Sequence, residues 1–584
     1  MCSPRTSPDA GFMTAPAAGP DTVAPSLELS PHRAVIAAAL AFGLLCGAFE
    51  ITNTAIGWHI TSGLWMLDHH QVLDRDVFSF TAAGTDWIDH EWLFQIVAAG
   101  LYRIGGAPAL VVMRMVAIAA LTLLLLRIGI ASGLDPPVAL ALACASVMAA
   151  RPRFFVRPEL ATLLLVPLAL WLFASRRGRR LWPLSLAGTV VVGVNLHGAV
   201  LVAPILLAVW FAGEVADGLL ARQLDPVDLQ SGAFGLAAAI AATLVNPRGV
   251  AIWTVPVRLG ELVRQPHIPN PEWIPPGPSD APWLYASIVA AVVTLAFSRR
   301  APQGWLLGAA TAALALKHIR NIGLFFVVLP LVVAPALARW RILSARPSNR
   351  QASRRAIRMT CIGLVAVLAA AAVSRPWPRP GFGFADRWYP DRAVSFLKAH
   401  GLLGGRLYND VRFGGWLILD GYPERQVFLD DRNEIHEPLL REIWEIFATS
   451  NVAAWEDLLE RWHIDTVLLR YHEPIRVTTP DGAELGERGF SQLWFPTERW
   501  AMVYWDDVAM VVVRRSAVPA AFVADHEYRI LHPDDLDHVL ATLSAEPNLL
   551  PAATAELRRA LADDPECRRA LTLGRALGSI AGKI

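Results

Sequence analysis

GWHITSG at residues 57–63, followed by DRDVFSFTAAGTDWIDHEW at 74–92, lies between two oily segments. The stretch carries five acids, Asp74, Asp76, Asp86, Asp89 and Glu91, interleaved with His59, His90, Trp58, Trp87 and Trp92. The surrounding chain is greasy: 54% of its 584 residues are hydrophobic, 18% are charged, and mean hydropathy is +0.40. About a quarter of the residues of an ordinary soluble domain are charged. Acids almost vanish over 107–126, 136–150, 158–175, 181–217, 232–247, 281–298, 303–338 and 359–374, and normal charge density returns after residue 385. This pattern predicts a polytopic α-helical membrane domain followed by a soluble α/β domain. The acid-rich stretch is then the first loop outside the bilayer.

The expected boundaries follow from composition. Residues 1–33 are rich in Pro, Ala, Ser and Thr, lack the apolar run of a signal peptide, and read as a disordered cytoplasmic N-terminus. Residues 34–374 form the multi-span domain, with 51–91 as its first outer loop. An α/β domain at 375–530 and a helical tail at 531–584 complete the chain. Helix candidates are 34–50, 92–105, 107–126, 136–150, 158–175, 181–195, 197–217, 232–247, 281–298, 303–317, 320–338 and 359–374. Several fall short of the roughly 20 residues a bilayer core requires, so the expected count is about 11–13 spans. In the soluble part, RLYND, QVFLDDR and DTVLLRY read as strands. WAMVYWDDVAMVVVRR reads as a hairpin turning at Asp506-Asp507.

Orientation rests on the positive-inside rule. RWRILSARPSNRQASRRAIR at 339–358 has seven arginines and no acid and is assigned to the cytoplasm, which sends the α/β domain outside. SRRGRR at 175–180 is assigned inside by the same rule. RPRFFVRPE at 151–159 then falls outside although it is basic. Two readings stand: Arg151, Arg153 and Arg157 anchor an anionic lipid phosphate, or one short segment does not span. Net charge is +1 and the pI about 7.8, which argues against nucleic acid as a partner. Cys2, Cys46, Cys144, Cys361 and Cys567 are scattered without a CxxC, so neither a disulfide framework nor a zinc site is expected.

Asp76 precedes VFSFT, an apolar stretch expected to lie on the membrane surface, and Asp89-His90-Glu91 opens the next helix. A carboxylate there can take a proton from an acceptor hydroxyl or hold a divalent metal, Mg or Mn, against a phosphate. Solvated acids in an interfacial aromatic belt are the competing reading. His197, at a break between apolar segments, can meet a phosphate or cap a helix end. Lys317, His318 and Arg320 form a basic cluster between apolar runs, expected on the face opposite 339–358; a phosphate site and snorkelling cytoplasmic charges are the two readings. Arginine suits a phosphate because its fork donates two parallel hydrogen bonds. In the α/β domain, Asp410, Asp430, Asp431 and Arg432 end expected strands and can line a crevice for a sugar or peptide, or simply cap turns.

Trp58-His59-x-x-x-Gly63, Asp76-x-Phe78-Ser79-Phe80-Thr81 and Trp87-x-x-His90-Glu91-Trp92-Leu93 resemble motifs of a broad group of bacterial multi-span proteins. That group is assigned to the GT-C glycosyltransferase superfamily. Arg151-Pro152, Asn195-Leu196-His197-Gly198, Asn246-Pro247-Arg248-Gly249, Glu272-Trp273 and Arg320-Asn321 are similar to further motifs in the same order. Asn409-Asp410, Gly414-Gly415 and Asp430-Asp431-Arg432 extend the likeness outward. The resemblance covers about residues 40–515. It implies a GT-C-like fold, shared with oligosaccharyltransferase catalytic subunits and protein O-mannosyltransferases. It also implies a polyprenyl-phosphate-linked sugar donor and an acid in the first outer loop, with His59, His90 and Glu272 in the substrate-binding set.

One departure matters. The group's Asp pair just before the WH motif is replaced here by Asn53 and Ala55. Glu50, Asp76, Asp89 and Glu91 are the remaining candidates for the acid. The expected function is transfer of a sugar to an unknown acceptor glycan, lipid or protein at the outer face of the cell inner (plasma) membrane. The alternative is a non-catalytic envelope-assembly protein or a lipid-linked glycan translocator of the same fold.

Overall fold

A computed structural model describes residues 31–176, 180–268, 270–298, 302–340, 343–344, 351–374, 379–478 and 484–581. The expectation of disorder over 1–33 lies outside the described residues except at 31–33, which open the helix Pro31–Gly47 instead, and parts of both basic loops, 177–179 and 345–350, also lie outside them. The chain is a mostly helical membrane protein with a small sheet region. Among the described residues four helices are long and apolar enough to cross a bilayer: Trp92–Ala131, Gly198–Ala221, Ile319–Leu337 and Arg355–Ala372. Shorter apolar helices, such as Glu159–Ala174, Trp182–Leu196 and Pro282–Ala296, stand beside them. Prolines in the first turn start several of these, at Pro136, Pro183, Pro226 and Pro282, where a missing N–H costs nothing. Ile322–Leu337 is buried almost all round, with Phe325, Phe326, Val327 and Val328 at 2% exposure or less, as its unbroken apolar sequence requires.

Two segments differ from the sequence reading. The separate helices expected at 92–105 and 107–126 form one element, Trp92–Ala131, kinked where Gly105 and Gly106 leave helical geometry. Gly106 has φ +59°, a conformation open to glycine and strained for other residues. The first outer loop also folds. Ile56–His69 is a helix packed against Trp92–Ala131 and against Val411–Gly421 of the outer domain. A Cβ on Gly57 would overlap the Gly415 carbonyl, and one on Gly415 would overlap the Thr54 carbonyl, so only hydrogen fits at this crossing.

The C-terminal region, termed the outer domain after the orientation expected from sequence, holds a mixed four-stranded sheet. Strands β1 (Arg406–Asn409) and β2 (Ile464–Arg470) are followed by a separate two-stranded pair, β3 (Ile475–Thr478) and β4 (Glu484–Arg488). The hairpin β5 (Trp500–Trp505) and β6 (Ala509–Arg514) completes the order β1-β2-β6-β5. β1 and β2 are parallel and the other pairs antiparallel, with Leu468 opposite Val511. The hairpin turns at Asp506-Asp507 as its sequence reads. QVFLDDR is not a strand of this sheet. It pairs instead with the outer loop, where Val427 N–H donates to Phe78 O at 2.9 Å and Phe80 N–H to Val427 O at 3.1 Å.

That pairing decides where VFSFT goes. Phe78 is fully buried among outer-domain side chains such as Val427 and Leu417, not spread along a membrane surface. The loop is pinned between helices and outer domain because both its backbone and Asp76 find partners there.

Candidate functional site

Three adjoining cavities open where the helical bundle, the first outer loop and the outer domain meet. An outer chamber of about 790 Å³ and a middle chamber of about 700 Å³ are lined by charged and aromatic side chains. A slot of about 400 Å³ is lined largely by apolar ones, among them Leu163, Leu201, Ile205, Trp253 and Leu324. His197 and Arg320 line all three spaces, and Trp58, Glu91 and Asp431 line both chambers. Chemistry-bearing residues thus concentrate at the junction.

Glu91 stands at its centre, at the start of Trp92–Ala131. Its Oε1 is 3.5 Å from both His90 Nε2 and His197 Nε2, and its Oε2 is 3.8 Å from His59 Nδ1. Burial, reinforced by the nearby Glu434 carboxylate, pushes the Glu91 carboxyl up to about 8. Burial holds His59 well below its ordinary value, so it stays a neutral imidazole. His197 has extended backbone at the break after Trp182–Leu196, and its Nδ1 lies 2.7 Å from Thr162 Oγ1, which leaves Nε2 facing Glu91. Asn195, two residues earlier, spends its side chain on structure: it accepts from Trp92 Nε1–H at 2.9 Å and donates to Val191 O and Val245 O.

The other first-loop acids sit differently. Asp89 lines the middle chamber, yet its Oδ1 is taken by Glu91 N–H and Gln95 Nε2, and burial raises it to about 7. Asp76 lines none of these spaces. It accepts from Phe78 N–H, Ser79 N–H, the Ser79 hydroxyl at 2.6 Å and Arg432 Nη2 at 2.7 Å. Arg432 also grips Asp430 through Nε and Nη2, and Asp430 lies 3.3 Å from His436. This buried network clamps loop to outer domain. Burial alone would raise the Asp430 carboxyl, but the Arg432 guanidinium holds it far below the usual range. Asp410 is likewise occupied: it caps Val411–Gly421 through Arg412 N–H and meets Arg470 and His472. Neither Asp410 nor Asp430 faces a chamber. Glu50 does not either; its backbone N–H is bound to Arg379 O.

Asp431 does face the chambers. Because Asp430 turns inward to Arg432, its neighbour is directed the other way, and its Oδ1 accepts from Trp58 Nε1–H at 2.8 Å. Burial and the adjacent Asp430 charge raise it to about 6. Glu434 lines the middle chamber and accepts from Trp87 Nε1–H. The sequence reading places Asp431 among the strand-end acids of a crevice, without a role of its own, and does not single out Glu434. The signal available was the pairing of first-loop tryptophans with outer-domain acids, which no local pattern encodes.

The basic residues divide in the same way. Arg151 is buried beside Phe49 and donates to Ala372 O, away from the chambers. Arg153 forms a two-pronged ion pair with Glu159 and a second pair with Glu272, which also takes Arg157 Nη1. Burial works against charge on Glu272, but Arg153 and Arg157 outweigh it and lower the carboxyl to about 2. Arg157 donates from Nε to Asn53 Oδ1 at 2.8 Å, so the asparagine in the expected acid's place holds a cation against the outer chamber. Arg320 is the exception. Its guanidinium lies 4.5 Å from the Trp273 ring centroid and has no hydrogen bond or ion pair among the described residues. Lys317 and His318 line the middle chamber near it.

The Glu91 cluster offers one carboxylate among three imidazoles, which does not fit the oxygen-rich shell preferred by Mg²⁺ or Mn²⁺. Asp507, Asp564 and Cys567 place ligand atoms within 4.8 Å of one another. Arg387 and Arg392 already neutralise those carboxylates.

No protein-family model and no curated protein sequence matches the chain. The structure is similar to the crystal structure of the oligosaccharyltransferase of Archaeoglobus fulgidus in its apo form. The TM-score is 0.52 and the identity 12%, over 88% of this chain and 83% of that one. At that identity the likeness concerns the fold alone: the chain is distantly similar in fold to that oligosaccharyltransferase.

Proposed function

We propose that the protein is a membrane glycosyltransferase that moves a sugar from a polyprenyl-phosphate donor to an acceptor hydroxyl at the outer face of the plasma membrane. The observation that carries this reading is the junction itself, where an apolar slot, an unpaired arginine and a high-pKa carboxylate meet. The prenyl chain lies in the slot lined by Leu163, Leu201 and Ile205, and the phosphate faces Arg320 and Lys317. Glu91 takes the acceptor's proton as the acceptor oxygen attacks the anomeric carbon. The bond from that carbon to the phosphate oxygen breaks, and the negative charge that develops on the departing lipid phosphate is met by Arg320. Trp273 holds that guanidinium in place. The seven arginines of 339–358 support a cytoplasmic loop there and an extracytoplasmic outer domain.

The test is transfer of a radiolabelled sugar from synthetic polyprenyl-phosphate donors by the purified protein in liposomes. Replacing Glu91 by Gln is expected to lower the rate about 10²–10⁴-fold while leaving thermal stability unchanged. Full activity in that variant removes Glu91 from the reaction. Failure to consume any polyprenyl-phosphate sugar, together with movement of such lipids between leaflets, favours the translocator reading.

A further inference from the structure

The outer chamber has a charge pattern that the proposed transfer does not use. On its membrane side Arg157 is matched by Glu272. On its outer-domain side Arg387 is matched by Asp507 and Asp564, and Arg470 by Asp410. Asp507 is further saturated by the backbone N–H groups of Arg568 and Arg569. Two cations of this wall remain. The side chains of Arg412 and Arg569 make no hydrogen bond or ion pair among the described residues, although both line the chamber. The Arg569 guanidinium lies 3.4 Å from the Tyr471 ring centroid, which fixes its plane while leaving its N–H edges open. Trp388, 37% exposed, adds an aromatic face to the same wall. The carboxylates not matched by a cation, Glu91 and Asp431, lie at the chamber's inner end, where it meets the middle one. The outer-domain wall of the chamber thus carries two open guanidinium groups and an aromatic face but no unmatched acid, whereas Glu91 and Asp431 share the inner end with Arg320.

We infer that the outer chamber binds an anionic saccharide, with a carboxylate or phosphate substituent on Arg412 and Arg569 and a sugar ring against Trp388. Guanidinium forks match both anions through paired hydrogen bonds. Aromatic faces suit the C–H surfaces of sugar rings and distinguish a glycan from an acidic peptide. The role of this ligand as the acceptor rests on the transfer reading; its binding does not.

The experiment is equilibrium binding to the full-length protein in nanodiscs, with four probes: trigalacturonic acid, mannose 6-phosphate, maltotriose and a triaspartate peptide. One or both anionic sugars are expected to bind at least about tenfold more tightly than maltotriose and triaspartate. Which of the two binds identifies the anion as carboxylate or phosphate. Arg412→Gln and Arg569→Gln are each expected to remove about tenfold of that affinity. Arg412→Glu, at an exposed position, is expected to abolish the preference while leaving Tm unchanged. Equal binding of maltotriose, binding of triaspartate as tight as that of the sugars, or unchanged affinity in the arginine variants overturns the inference. Anionic sugar binding without any consumption of polyprenyl-phosphate sugar overturns the transfer reading and leaves the binding site standing.

Discussion

Replacing Arg432 by Met removes one cation from two buried carboxylates. The guanidinium side chain is 1% exposed, those of Asp76 and Asp430 are 0% exposed, and three contacts of 2.6–2.7 Å bind them. Asp76 would keep its Phe78, Ser79 and hydroxyl donors, and Asp430 would keep Arg432 N–H and His436. Both carboxylates would nonetheless lose their cation, and breaking a buried pair from one side costs about 3–5 kcal/mol. For a domain of roughly 200 residues that corresponds to a fall in Tm of about 6–20 °C. Tryptophan fluorescence during thermal unfolding reports it directly, since Trp58 and Trp87 flank Arg432.

Two controls sharpen the measurement. The triple variant Asp76→Asn, Asp430→Asn, Arg432→Met leaves no uncompensated charge and is expected to recover much of the loss. The sign of the pH dependence also reverses. In the native protein the depressed Asp430 contributes stability that is present above the unfolded aspartate value of about 3.9 and is lost as pH falls below it. In Arg432→Met an unpaired buried carboxylate has a raised pKa, so the deficit is largest at neutral pH and shrinks toward pH 4. A Tm within about 2 °C of the native value at pH 7 would refute the clamp, and with it the structural role given to Asp76.

Two further outcomes follow from the geometry. Because the Glu91 carboxyl is raised to about 8, a reaction that needs it ionised should gain about tenfold per pH unit up to pH 8 and level off above; a rate independent of pH from 6 to 9 rules it out as base. Gly57→Ala should lower stability by about 1–3 kcal/mol, because its methyl meets the Gly415 carbonyl; an unchanged Tm would mean that the helix Ile56–His69 is not held against the outer domain as described.

Hydropathy made the helical membrane body legible because a bilayer imposes long runs of apolar side chains, and short buried-strand runs such as DTVLLRY and the hairpin at 500–514 revealed most of the sheet. QVFLDDR misled because its apolar residues pair with the distant outer loop rather than with a sheet neighbour. The site was legible as a neighbourhood: Glu91, His59, His90, His197, Glu272 and Arg320 do converge on the chambers.

The sequence by itself determined that charge and imidazole concentrate in the first loop and at breaks between oily helices, since polar groups cannot sit unsatisfied in lipid. Which of those groups remain open was decided only by tertiary structure. Asp76 and Arg153 are as polar in sequence as Glu91 and Arg320. The fold brings Arg432 to the first pair member and Glu159 and Glu272 to the second, while Glu91 and Arg320 are left facing space. Openness is a property of what is not nearby, and contacts made across hundreds of residues, such as Asp76 with Arg432, carry no trace in local sequence.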